Sequence, residues 1–128
     1  VIDWGFVDRS SICQILEKSK AGLVVLHPTA NYIESLPVKM FEYMAAGIPV
    51  IVSDFPNLKE IIDTYECGIS VNPFNINEIS NAIKYLIDNP VEAKRMGSNG
   101  RMVVEKIFNW NHESLKLIQF YHQILSIK

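Results

Sequence analysis

Three observations predict an α/β fold built on a doubly wound parallel sheet. β-rich runs alternate along the chain with segments whose apolar residues recur at helical spacing. Two of those runs, "AGLVVLHP" at 21–28 and "PVIVS" at 49–53, are apolar almost without interruption, the pattern of strands covered on both faces. The links between elements are short, and strands alternating with helices on short links build right-handed βαβ units.

The elements follow in order. "VIDWGFV", residues 1–7, reads as a first strand, and Ser10 or Ser11 is placed to cap a helix to about Lys18 with Ile12, Ile15 and Leu16 on one face. After the strand in 21–28, a helix is predicted from about Leu36 to Ala46, with Ser35 as its cap and Pro37 in its first turn. Gly47 stands where a left-handed terminating residue belongs. "PVIVS" is a buried strand, "NLKEIIDTY" a helix and "CGISVNP" a short strand. "NINE" reads as a capping box, Asn75 with Glu78, opening a helix to about Asp88. Two helices complete the chain, with "GSNG" at 97–100 as a weak point, a break at Asn109–Trp110, and Leu117, Tyr121 and Leu125 as a core face on the last helix. Phe41, Met44 and Trp110 read as core.

Composition narrows the function. The 128 residues are 48% hydrophobic and 20% charged, the balance of a globular domain, and at this length roughly two thirds of the unfolded surface can be buried. The net charge is −2 and the Lys and Arg residues are scattered, so the basic patch that nucleic acid requires is missing. No apolar run approaches the ~20 residues that span a bilayer. Cys13 and Cys67 lie outside any metal-ligand spacing and read as buried thiols of a reducing, cytoplasmic compartment, and His27, His112 and His122 form no ligand cluster. No metal site is expected. "VIDWGFVDRS" lacks an initiator Met and enters directly on a strand-like run, which predicts a segment of a longer chain.

In a doubly wound sheet, ligands sit beyond the carboxyl ends of the strands. A helix starting near Leu36 would point its free N–H groups and positive dipole end into that crevice, where a phosphate is the natural occupant. Glu34 precedes that end, and Glu42 lies about five residues inside it, roughly 8 Å along the axis. Such a reach is close to that from a diphosphate to the ribose of the same nucleotide. An ionised carboxylate offers two acceptor oxygens and no donor, matching the adjacent hydroxyls of a ribose or a hexose. Two carboxylates and a helix start between them fit a nucleotide diphosphate sugar. Geometry alone leaves a plainer alternative open for each: Glu42 paired with Lys39 at i,i+3, and Glu34 as a solvated loop carboxylate.

"ESLPVKMFEYMAAGIPVIVSDFPNLKEII", with "CGISVNP" after it, resembles the C-terminal, donor-binding domain of the retaining glycosyltransferases of family 4, the "glycosyl transferases group 1". These enzymes have the two-domain GT-B architecture with Rossmann-like halves. Glu34 and Glu42 match the family's pair of glutamates separated by seven residues. "MGSNGRMVVEKIFNW" is similar to its late Arg-containing helix, "VIDWGFV" to the third strand of its domain, and the last helix to the segment that reaches back toward the partner domain.

The resemblance implies that residues 1–128 are a nucleotide-sugar-binding C-terminal domain lacking its first two strands, with the N-terminal acceptor domain absent. Glu42 would bind the ribose diol, while Glu34, Ser35, Leu36 and Pro37 would face the donor sugar and phosphates. His27 and Lys39 are further candidates at the crevice. Relatives carry a Gly-rich loop after the first Glu where this chain has Ser35, Leu36 and Pro37. The implied chemistry is sugar transfer from a nucleotide-diphosphate donor in glycan, lipopolysaccharide or capsule synthesis, without metal or other cofactor. An Arg and a Lys from the first part of the same domain would complete the anion site. The intact enzyme would be cytoplasmic or sit peripherally on the cytoplasmic membrane face. The strand order 3-2-1-4-5-6 of such a half would leave residues 1–7 without their usual neighbour. A non-catalytic nucleotide- or partner-binding module of a split assembly stands as the alternative.

Overall fold

Three apolar runs become three parallel strands in the computed structural model, which describes residues 2–126. In chain order the elements are α1 (Arg9–Lys18), β1 (Gly22–Val24), α2 (Ala30–Ile33), α3 (Val38–Ala45), β2 (Val50–Ser53), α4 (Pro56–Tyr65), β3 (Gly68–Val71), α5 (Ile76–Asp88), α6 (Pro90–Lys106) and α7 (Trp110–Ser126). The sheet order is β1-β2-β3, with Leu23 opposite Ile51 and Val52 opposite Ser70.

β2 is central, and alternation along it divides the core into two layers. Val50 and Val52 join Val24, Met40, Met44, Leu58, Cys67 and Val103 on one face, under α3, α4 and the later turns of α6. Ile51 joins Val71, Ala82, Leu86 and Ala93 on the other, under α5 and the start of α6. Each large side chain buried this way contributes about 1.5–3 kcal/mol relative to exposure. β1 is less well covered, and Leu23 is 46% exposed.

α3 is seated by α6. Gly47 ends it at φ +74°, as the sequence predicts, and the chain then turns directly into β2. "GSNG" is not a weak point: α6 runs unbroken through it, because the glycines sit where the helix touches its neighbours. A Cβ on Gly97 would lie 2.0 Å from the Gly47 carbonyl oxygen, so only glycine lets the α6 backbone come this close.

Other expectations need correction. Residues 2–8 form no strand, and Val1 lies outside the described residues. A strand exists only through a hydrogen-bonded partner, and no described strand pairs with this segment; Trp4 and Phe6 are exposed. α1 is capped by Asp8, whose carboxylate accepts from the Ser11 N–H at 2.8 Å, rather than by Ser10 or Ser11. Hydrogen bonding from the Ser11 side chain, and then from its N–H, holds the Asp8 carboxyl below its usual range. The capping box of α5 forms with altered wiring. Asn75 accepts from the N–H groups of Asn77 and Glu78, while the Glu78 carboxylate reaches the Asn72 N–H and the Asn75 side chain. Cys13 is exposed, since α1 buries no residue completely. Trp110 is 70% exposed, and Leu117, Tyr121 and Leu125 are exposed too, because α7 leaves the body of the domain instead of folding back on it. No described helix is long and apolar enough to cross a membrane.

Candidate functional site

The connection from β1 to α3 holds most of the predicted site. It contains α2, a four-residue helix the sequence reading missed, and Glu34 closes it as its C-cap with φ −101° and ψ 0°. The Glu34 side chain is exposed, and its carbonyl accepts from Asn57 Nδ2 at 3.2 Å. Ser35 does not cap α3. Its hydroxyl donates to the Tyr32 carbonyl at 3.1 Å, so it closes α2 instead. α3 begins two residues later than predicted, with Pro37 in the cap position at φ −64°. Pro37 has no side-chain acceptor to offer, and its fixed φ suits the entry to a helix. Among the described residues none accepts from the N–H groups of Leu36, Val38 or Lys39. These are the free donors that the start of a helix aims at an anion.

Glu42 is exposed on the second turn of α3, four residues beyond Val38 and so roughly 6 Å along the axis. Among the described residues neither Glu42 nor Lys39 belongs to an ion pair, so the i,i+3 pairing does not form. Both line an open groove of about 620 Å³ together with Tyr43, Leu23 and the apolar side of α1. Tyr43 lies half-buried over Gly22, whose missing side chain makes room for its ring. The groove runs along the free edge of β1 rather than beyond the strand tips, which moves the open space beside Glu42 from where the sequence placed it.

His27 follows β1 and is exposed, its ring 5.1 Å from that of Phe74 in the loop after β3. Glu42 and Lys39 thus share the groove, while Glu34 and His27 lie on the connecting segment and do not line it. Sequence reasoning missed Ser53. It is wholly buried, and its hydroxyl accepts from the Leu26 N–H at 2.7 Å and donates to the Leu26 carbonyl at 2.8 Å. The one polar residue closing the run "VIVS" was the available signal.

The family model for "Glycosyl transferases group 1" matches residues 2–103, which is most of the chain. This chain belongs to the group 1 glycosyltransferase family. Within that family it is similar to MMP alpha-(1->4)-mannosyltransferase of Mycolicibacterium hassiacum, 28% identical over 94 residues, covering 73% of this chain and 23% of the relative. It is also similar to glycogen synthase of Mycobacterium tuberculosis, 23% identical over 117 residues, covering 91% of this chain and 27% of the relative. Among solved structures, sucrose-phosphate synthase from Thermosynechococcus elongatus superposes with a TM-score of 0.83 at 29% identity, covering 97% of this chain and 30% of that one. The group 1 glycosyltransferase chain therefore spans less than a third of the length of these proteins. The last superposition shows the predicted fold class, part of a GT-B domain followed by C-terminal helices.

Proposed function

We propose that this group 1 glycosyltransferase chain forms part of the donor site of a longer enzyme, one that moves a sugar from a nucleotide diphosphate to an acceptor during glycan synthesis. Residues 1–128 then belong to its donor-binding domain, and the acceptor is held by a separate domain. The observation that carries this reading is Glu42: an exposed carboxylate with no ion-pair partner among the described residues, about a turn inside a helix whose first N–H groups find no acceptor among them.

The Glu42 carboxylate accepts from both ribose hydroxyls, and the α3 N–H groups with the Lys39 ammonium receive the diphosphate. Glu34 and the main chain at Ser35, Leu36 and Pro37 face the sugar, with His27 near its far side. As the bond between the anomeric carbon and the diphosphate breaks, negative charge grows on phosphate oxygens already aimed at fixed donors, which lowers the barrier. Transfer proceeds with retention and without a metal ion or other cofactor, the helix end and cations taking that electrostatic part. The enzyme works in the cytoplasm or at the cytoplasmic face of a membrane. A relative named as a GDP-mannose-dependent phosphatidylinositol monomannoside mannosyltransferase, 27% identical over 88 residues, lends support to a guanosine donor and a lipid acceptor as first choices to test.

Calorimetric titration with GDP and UDP tests the reading. Glu42→Ala should weaken whichever diphosphate binds roughly tenfold, since it removes charge-assisted hydrogen bonds. It should leave the melting temperature nearly unchanged, since Glu42 is exposed and holds no partner among the described residues. Equal affinities for the two proteins would remove Glu42 from the site.

A further inference from the structure

The ladder between β1 and β2 ends at Val24 and Val52, yet β2 continues to Ser53, which pairs with Val71 of β3. The chain leaving β1 has therefore lost its main-chain partner, and a side chain replaces it. One buried hydroxyl, that of Ser53, occupies both main-chain groups of Leu26. It sets the direction in which the connection leaves the sheet. At the far end of the same connection, Asn57 donates to the Glu34 carbonyl. Between these two ties, the hydrogen bonds found among the described residues at 27–33 stay within the connection, joining Thr29 to His27, Tyr32 and Ile33 to Thr29, and Ser35 to Tyr32. The outside support is the ring of Phe74 against His27.

We propose that Ser53 and Asn57 are paired positioning residues: from the two ends of the β2–α4 turn they fix the main chain at Leu26 and Glu34, and so set where Glu34 stands relative to Glu42. The inference rests on the donor-site reading above and adds a division of labour to it. Glu42 rides on α3, which is held independently through Met40, Met44 and the α6 glycines. Loosening either tie moves Glu34 while α3 stays in place. Recognition of the sugar end of the donor then suffers, and recognition of the nucleotide end does not.

Calorimetric titration of the intact enzyme that contains this chain with GDP, GDP-mannose, UDP and UDP-glucose tests this. Ser53→Ala should weaken the sugar nucleotide that binds about tenfold and its bare diphosphate less than about twofold, because the two hydrogen bonds lost support only the sugar end of the site. Asn57→Ala, a surface change that does not threaten folding, should shift the same ratio in the same direction by roughly threefold. Ser53→Thr, which keeps the hydroxyl, should restore the wild-type ratio. Equal losses for both ligands, or an unchanged ratio in Asn57→Ala, would overturn the positioning role whatever the fate of Ser53→Ala. An intact wild-type enzyme that binds none of the four ligands would overturn the donor reading and this inference with it, a failure visible before any variant is made.

Discussion

Cys67 and Cys13 show how one residue type diverges with its surroundings. Cys67 is completely buried, and burial pushes its thiol up from 9.0 to about 11, because a thiolate there would lose its hydration. In the unfolded chain the thiol ionises at its ordinary value, so between about pH 9 and 11 the folded state binds more protons than the unfolded one. Stability should therefore be unaffected by this group below pH 9 and fall as pH rises through that window. Denaturant titrations at pH 8 and pH 10.5, compared with Cys67→Ala, would check the sign. Iodoacetamide at pH 8 should modify Cys13 and spare Cys67. The sequence reading made both thiols buried, and spacing holds nothing to separate them, since exposure at Cys13 depends on how shallowly α1 docks. The position of Glu42 on its helix was legible for the opposite reason: its distance from the helix start is specified by the order of residues. Whether Lys39 would neutralise it was a matter of rotamers and could be read only from coordinates.

The seating of α3 depends on α6, and this is where substitutions should cost most. Gly97→Ala would drive a Cβ against the Gly47 carbonyl, and a loss of about 3 kcal/mol in chemical denaturation is expected, at the upper end of overpacking. Met44→Ala should cost about 2–5 kcal/mol through the cavity it leaves among Val50, Cys67 and Val103. By contrast Asn75→Ala, at the start of α5, should cost about 1 kcal/mol as a lost cap. The helix boundaries at Gly47 and Asn75 could be read in advance because caps and left-handed terminators are local. "GSNG" was misread because propensity favours a break there, and only the facing backbone at Gly47 shows what the glycines are for. α2 escaped notice because one short turn has no apolar period, and Ser35 was taken as the cap of the wrong helix for the same reason.

The molecule as a whole is well covered on both faces of β2 and open at β1. Among the described residues the outer edge of β1 is unpaired and α7 carries exposed Trp110, Leu117, Ile118, Tyr121 and Leu125, surfaces that invite pairing with other chains. Sedimentation velocity should show association that grows with concentration, and Leu117→Lys with Tyr121→Lys should reduce it without changing helix content. The parallel sheet was predictable from three apolar runs on short links. The fate of residues 2–8 was not, since a strand-like sequence becomes a strand only beside a partner, and the last helix was misjudged because an apolar stripe does not reveal what it faces. What joins these levels is the proposed donor site: a helix start to take the diphosphate and a carboxylate deeper in the same helix to take the ribose. Amide nuclear magnetic resonance during titration with GDP and UDP tests that directly. The largest shifts should fall on Leu36, Val38, Lys39 and Glu42; shifts centred instead on the cavity between Lys20, Leu86 and Lys94, or no shifts with either nucleotide, would contradict it.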